Sequence, residues 1–204
     1  LKGDDLARMF AWMRPNDLIW NYVVNNYLMG EDPPPYDVLF WNNDTANLPA
    51  QLHSDFLDFG MEQPFDNPGE VEIAGHKADL TKVKCDSFVV AGLTDHITPW
   101  KACYRTPALL GSENIEFVLS SSGHLQSLIN PPGNPKAKYF RNTEIKPTAE
   151  EWAATADEHA GSWWPLWGEW LKERSGALKL APKACGSEAF PPLYAAPGKY
   201  VFDE

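Results

Sequence analysis

Asp95 and His124 are the two residues whose types and placing suit chemistry. Asp95 lies in Gly92-Leu93-Thr94-Asp95-His96-Ile97-Thr98-Pro99-Trp100, just past the apolar run Phe88-Val89-Val90-Ala91. His124 ends Ser121-Ser122-Gly123-His124, just past a second run, Ile115-Glu116-Phe117-Val118-Leu119. A carboxylate can fix the tautomer of an imidazole and stabilise its cation, and the imidazole can take a proton from a nucleophile. Where the nucleophile sits on a strand-to-helix elbow of an α/β sheet the chain order is nucleophile, acid, histidine, and on that pattern the nucleophile would come earlier in the chain. No residue here fills that place well. Cys85 begins a strand, Cys103 falls inside a helix, and Cys185 comes after both partners. Ser54 and Ser87 lack the flanking glycines of a nucleophile elbow. His96 is the rival base, but neighbouring loop residues point apart, so it is placed as a pocket-lining residue. His53, His76 and His159 are read as structural or exposed. No His, Cys or carboxylate cluster has metal-ligand spacing, and no glycine-rich phosphate loop is present.

Elements must hold these residues in place. The continuous run from Ser87 to Ala91 suits a strand buried on both faces. Thr98 and Pro99 open a helix that Gly111 stops. Ile115 to Ser120 is the next strand. Strand, acid loop, helix, strand and histidine loop together read as the ending of a doubly wound α/β sheet. Ligands in such sheets sit outside the carboxyl ends of the strands, where Asp95 and His124 fall.

Upstream, Val71-Glu72-Ile73 and His76 to Leu80 flank Ala74-Gly75 as a hairpin. Downstream, residues 130–135 form a rigid proline-rich loop. Thr148 and Glu151 make a capping box for a helix to about Ala160. Ser162 starts a helix carrying Trp163, Trp164, Trp167 and Trp170, and an extended tail follows from about Gly176.

The division is into 1–68, a helical segment, and 69–204, the core with its helical end and tail. Within the first, Asn16-Asp17 caps a helix from Asp17 to Met29, stopped by Gly30. It is apolar nearly all round apart from Asn21, Asn25 and Asn26, so it should be sandwiched between partners. Pro33-Pro34-Pro35 is a stiff connector. Asn47 and Pro49 start a short helix through Leu52 and Phe56, and 61–69 is loop-like.

Composition narrows the function. The 204 residues carry a formal net charge of -11, against nucleic-acid binding, which needs a basic surface. Three cysteines make no disulfide framework and point to a reducing, cytoplasmic setting. No apolar run reaches the roughly 18 residues of a membrane span, and no signal-peptide pattern opens the chain. Nine Trp, seven Tyr and ten Phe indicate a large aromatic core or a surface for a greasy ligand. A first residue of Leu1, with the missing nucleophile, predicts a piece of a longer polypeptide.

Five stretches, in order, resemble the C-terminal half of poly(3-hydroxyalkanoate) synthases: residues 13–22, Leu39-Phe40-Trp41-Asn42-Asn43-Asp44, the segment from Gly92 to Trp100, Ser122-Gly123-His124, and Gly161-Ser162-Trp163-Trp164. The similarity runs from about Met13 to Tyr200. Residues 42–45 and 130–136 are similar to the branch favouring medium-chain acyl groups.

The resemblance implies an α/β-hydrolase fold, here the C-terminal part of its sheet, with 1–68 as part of an inserted cap and lid. It implies Asp95 and His124 as catalytic acid and base, with a cysteine nucleophile upstream in the N-terminal half of the same polypeptide. It implies transfer of a 3-hydroxyacyl group from coenzyme A to that cysteine and then to a growing polyester. Coenzyme A is then part of the substrate and no cofactor is needed. A homodimer, a polyester granule surface as partner and a cytoplasmic, granule-associated location follow from it too. Trp41 lies near the pocket or a dimer contact, or in the core. Asp95 either orients His124 or helps activate the substrate hydroxyl. The rival readings are a serine esterase or lipase of the same fold and a non-catalytic granule-binding module.

Two clear central strands and one hairpin would leave bare edges and faces. Residues 1–204 expressed alone should therefore be poorly soluble, melt without cooperativity and release no coenzyme A from 3-hydroxyacyl-CoA. A soluble monomer with a sharp transition would refute the folding half. Release of coenzyme A would refute the other half and return attention to Cys85, Cys103 and Cys185.

Overall fold

The computed structural model describes residues 1–33, 45–195 and 198–199. They divide into two compact units, one of residues 1–86 with 108–114, the other of 87–107 with 115–204. Trp41 and the motif at 42–44 lie outside the described residues.

The first unit is mostly helical. Helix α1 (Gly3–Met13) carries Asp4 and Asp5 in its first turn, where carboxylates suit the helix dipole. Gly3 donates its N–H to Asn47 Oδ1 at 3.0 Å, so Asn47 tethers α1 instead of starting the next helix. The segment expected from Asp17 to Met29 is helical, but wound in wide turns over Asn16–Trp20 and Val23–Leu28. Asn16 lies inside it with no side-chain cap, and Gly30 ends it with a φ of 72°. Its asparagine stripe pairs internally, Asn25 Nδ2 donating to Asn21 Oδ1 at 2.7 Å. Among the described residues its apolar side chains are not sandwiched: Trp20, Tyr27 and Leu28 stand exposed. Helix α2 (Ala50–Glu62) runs further than the sequence suggests and ends where Gln63 turns left-handed. The Phe59 and Phe65 rings meet across that turn at 5.1 Å.

Strands β1 (Glu72–Ile73) and β2 (His76–Lys77) pair antiparallel as the expected hairpin. Ala74 and Gly75 both have positive φ, the geometry that fits the twist of a two-residue hairpin. Gly111 belongs to the same unit for a steric reason. A Cβ there would fall 1.8 Å from the Thr81 carbonyl oxygen.

The second unit holds the sheet. Strand β3 (Ser87–Gly92) pairs in parallel with β4 (Ile115–Ser120), from Ser87 opposite Ile115 to Gly92 opposite Ser120. Two further strands, β5 (Lys138–Arg141) and β6 (Asp157–Ala160), extend it antiparallel in the order β3-β4-β5-β6. The unit is a mixed α/β sheet, wider than the two strands expected. Residues 157–160 were expected to be helical. Instead α5 (Ala149–Ala154) stops early, where the Thr155 hydroxyl donates to Glu151 O and accepts from Asn142 Nδ2. Its N-terminus is capped as expected, Thr148 Oγ1 accepting from the Glu151 N–H. Helix α6 (Trp164–Arg174) follows β6. The helix expected from Pro99 to Gly111 is two short pieces, α3 (Trp100–Cys103) and α4 (Thr106–Leu109). Pro107 has no N–H to donate to Cys103 O, so an unbroken helix through it would lack that bond.

Alternation along the strands aims side chains at helices on two sides. Ala91, Phe117 and Leu119 pack with Tyr104, Ala149 and Trp152 into the main core. Trp152 is fully buried, edge-on to Phe117 at 5.0 Å and tilted against Tyr104 at 5.7 Å. On the other side Phe88 meets Trp163 and Trp170 at 6.0 and 5.6 Å, which places α6 there. Ser87–Val90 of β3 are only half-buried. β4 is the one strand beside them among the described residues. Arg141 and Glu116 tie β5 to β4 with paired bonds of 2.6 and 2.9 Å. No described helix is long and apolar enough to cross a membrane.

The Trp152 indole N–H has no partner among the described residues, so the residue acts through ring packing. In the full-length protein Trp152→Ala should cost about 3–5 kcal/mol of unfolding free energy, read by chemical denaturation. Trp167→Ala, at a ring that is 41% exposed, should cost clearly less, about 1 kcal/mol. Equal losses would show that the core is not centred on Trp152.

Candidate active site

The parallel register brings the loops after β3 and β4 out side by side. They are then bonded together. The Leu93 N–H donates to Ser120 O at 2.8 Å and the Thr94 N–H to Ser122 O at 3.4 Å. The approach is close enough to demand glycine at 92: a Cβ there would lie 2.8 Å from Ser122 O and 3.0 Å from the Ser127 Cβ.

Asp95 turns its side chain back into its own loop. Oδ1 accepts from the backbone N–H groups of Ile97 and Thr98, both at 2.9 Å. Oδ2 accepts from the Thr98 hydroxyl at 2.7 Å and faces His124 Nδ1 at 2.9 Å. Only 4% of the Asp95 side chain is exposed, against 40% of His124. Burial pushes the Asp95 carboxyl up, but the bonds from Thr98, His124 and Ile97 outweigh it and hold the group well below the usual carboxylate range. An ionised carboxylate only accepts, so the ring proton of His124 sits on Nδ1. Nε2 is then the atom able to take a proton from a third group.

His124 rides on a single tight turn. The Ser127 N–H donates to Gly123 O at 2.8 Å and its hydroxyl to His124 O at 2.9 Å. Ser127 itself is buried. The next carbonyls leave the turn and are taken by the start of α6. Trp163 Nε1 donates to Ser127 O at 2.8 Å, Trp164 Nε1 to Leu128 O at 2.9 Å, and the Ser162 hydroxyl to Asn130 O.

The structure thus joins Asp95 and His124 and leaves His96 out of the bonded pair. His96 is exposed and makes no hydrogen bond to another described residue. Trp41 cannot be placed. Cys103 is near enough to feel Asp95, but burial and that negative charge push its thiol up, the wrong direction for a nucleophile. Cys85 and Cys185 are exposed thiols. Among the described residues no three His, Cys, Asp or Glu side chains gather as a metal site.

Thr98 is the residue the sequence reading undervalued. It was placed as a helix cap, whereas its N–H and hydroxyl both serve Asp95. An Asp followed three residues later by Thr before Pro is a local turn signal that could have shown this. Ser127 carries no comparable signal.

No family model matches the chain. Curated relatives do. It is 54% identical over 201 residues to poly(3-hydroxyalkanoate) polymerase 2 of Ectopseudomonas oleovorans, covering 98% of this chain and 36% of that protein. It is 50% identical over 203 residues to polymerase 1 of the same organism, covering 100% and 36%. It is 40% identical over 202 residues to the polymerase subunit PhaC of Cupriavidus necator, covering 98% and 34%.

The Asp95 environment makes a pH prediction. A carboxyl held below its unfolded value stabilises the fold fully above that value, and the contribution is lost as pH falls through the folded one. Asp95→Asn in the full-length protein should lower unfolding free energy near neutral pH by about 1–3 kcal/mol. The gap from wild type should stay level down to the ordinary carboxylate value of 3.8 and narrow below it. Denaturation curves across pH would check this, and a gap that widens on acidification would refute it.

Over nearly its full length the chain is homologous to the poly(3-hydroxyalkanoate) polymerases, about a third of whose length it spans.

Proposed function

We propose that this chain carries the acid and base of a poly(3-hydroxyalkanoate) polymerase whose cysteine nucleophile lies elsewhere in a longer polypeptide. The carrying observation is the 2.9 Å contact between Asp95 Oδ2 and His124 Nδ1, on the loops after two parallel strands, in a chain so similar to named polymerases. The parallel pair with helices on two sides supports placing it as the later part of an α/β-hydrolase core. Residues 1–68 are then cap, and 69–204 core with its tail.

The chemistry follows from thioester exchange. His124 Nε2 takes the thiol proton, and the thiolate attacks the carbonyl carbon of 3-hydroxyacyl-CoA. The carbon–sulfur bond to coenzyme A breaks, and coenzyme A leaves with the proton that His124 returns. A hydroxyl oxygen then attacks the enzyme thioester while His124 takes its proton. The new ester bond forms, the enzyme carbon–sulfur bond breaks, and the thiol is restored. Thiolate is both a strong nucleophile and a good leaving group here. No cofactor enters, since coenzyme A belongs to the substrate.

Asp95 serves this cycle by orienting His124. Its oxygens already face four donors, and its depressed basicity makes it a poor acceptor of a substrate proton. His96 lines the pocket beside it, and Trp41 takes a pocket or dimer position on the strength of the resemblance alone. Homodimerisation, a polyester granule as working surface and a cytoplasmic setting belong to the same proposal.

In the full-length enzyme His124→Ala should lower coenzyme A release by about 10³-fold or more, with His96→Ala within about tenfold of wild type. Asp95→Asn should slow acylation and chain elongation together, measured by stopped-flow acylation against steady-state release. Equal losses at His124 and His96 would overturn the base assignment. An Asp95→Asn enzyme that acylates normally but fails to elongate would give Asp95 the substrate hydroxyl instead.

A further inference from the structure

The acid loop and the histidine turn are held in different ways. Asp95 receives three of its four hydrogen bonds from its own loop, through Ile97 and Thr98. Within the turn carrying His124, Ser127 bonds back to Gly123 and His124, the Leu128 and Ile129 N–H groups donate to Leu125 O, and the Asn130 N–H donates to Leu128 O, but none of these bonds reaches the imidazole. Its far side is also tied to a distant part of the chain, residues 162–164. Three consecutive side chains donate to three carbonyls of one turn: Ser162 to Asn130, Trp163 to Ser127 and Trp164 to Leu128. Trp163 is itself locked, 7% exposed and ringed by Phe88, Trp164 and Trp167.

Indole N–H groups are donors only and sit on rigid rings with two torsions. A carbonyl bonded to one is therefore fixed in direction as well as distance. The Trp167 and Trp170 indole nitrogens, on the same helix, make no hydrogen bond to a described residue. Donation to the turn is thus confined to the Ser162-Trp163-Trp164 corner.

We propose that Ser162, Trp163 and Trp164 form a clamp that sets the position of His124 against Asp95, and that Trp163 and Trp164 are positioning residues for the transfer reaction. The proposal rests on the reading of His124 as the base. Its chemical content is geometric. His124 is 40% exposed on its side chain, so packing alone does not hold the ring. A turn freed on one side moves the imidazole off the Asp95 oxygen and off the line of the reacting thiol. Misplacement of about 1 Å costs on the order of a hundredfold in rate.

The experiment uses the full-length enzyme with 3-hydroxyacyl-CoA as substrate. Trp164→Phe keeps a ring at a half-exposed site and removes one N–H. Trp163→Phe does the same at the buried site. Trp167→Phe is the matched control, removing an indole with no such bond. Trp164→Phe should lower kcat for coenzyme A release roughly tenfold, with KM within about twofold and a nearly unchanged melting temperature. Trp163→Phe should lower kcat further, and if it does not fold, Trp164→Phe decides. The low-field proton resonance of the His124 Nδ1–H, assigned by its loss in His124→Ala, should broaden or vanish in Trp164→Phe and persist in Trp167→Phe. A folded Trp164→Phe with kcat within twofold of wild type and an unchanged resonance would overturn the clamp. A kcat loss shared equally by Trp167→Phe would overturn it too, as a general packing effect. Full turnover by His124→Ala would instead bring down the reading of the base, an outcome separate from the clamp.

Discussion

Six residues of β3 lie parallel to six of β4, from Ser87 opposite Ile115 to Gly92 opposite Ser120. In a parallel pair both chains leave at the same end, so the loops that follow start level. A one-residue slip would turn Phe117 and Leu119 to the opposite face and separate the loops. The main core forbids that slip, because Phe117 and Leu119 are buried against Tyr104 and Trp152 on one side. Packing at the sheet thus fixes the height from which Asp95 and His124 both start. The backbone bonds from Leu93 and Thr94 to the facing loop carry that registration outward. Gly92 lets the two loops approach closely enough to make them.

The aromatic residues divide into two working groups. Trp100, Tyr104, Phe117 and Trp152 cluster under the loop that presents Asp95, with centroids 4.9–6.4 Å apart. Offset and edge-on rings add specific geometry to the area they bury. Tyr104 also bonds at its rim, its hydroxyl donating to Lys146 O at 2.9 Å and accepting from the Lys146 N–H at 2.8 Å. The second group, Phe88, Trp163 and Trp170, fixes the start of α6. There Trp163 and its neighbour Trp164 also use their indole N–H groups, which a phenyl ring could not do. The high tryptophan content is therefore only partly a matter of core volume.

The sequence made the parallel pair legible because β3 and β4 are apolar enough to be read without neighbours. Asp95 and His124 were legible for the same reason, since each follows such a run. β5 and β6 were not. Lys138 and Arg141 flank only two aromatic residues, and Asp157-Glu158-His159-Ala160 has no apolar alternation at all. Those strands exist because β4 offers an edge, a tertiary cause that local pattern does not carry. Tyr139 stacks on His159 at 5.0 Å across the pair, a contact visible only once the register is known. The wide-turned helix at 16–28 failed differently. Its all-round apolar character was real, but its burial depended on partners, and the described residues leave it exposed. The indole donors of Trp163 and Trp164 were hidden because hydrophobic pattern counts a tryptophan as bulk.

Acid and base in this pair are asymmetric for an electrostatic reason. A carboxylate with 4% of its side chain exposed must replace its lost hydration with donors or give up its charge. Three donors from its own loop are in place whatever His124 does, so Asp95 is ionised and aimed before the imidazole arrives. As the proposed base, the imidazole faces the opposite demand. It must stay accessible at Nε2, and the 40% exposure of its side chain is consistent with that. A group that has to be reachable cannot be held by burial, so its direction has to come from the backbone beneath it. In the proposed clamp that direction comes from the hydrogen bonds to the carbonyls of residues 127, 128 and 130. The same difference lets the buried acid be built from one short loop, whereas the exposed base draws on residues more than thirty positions further along the chain.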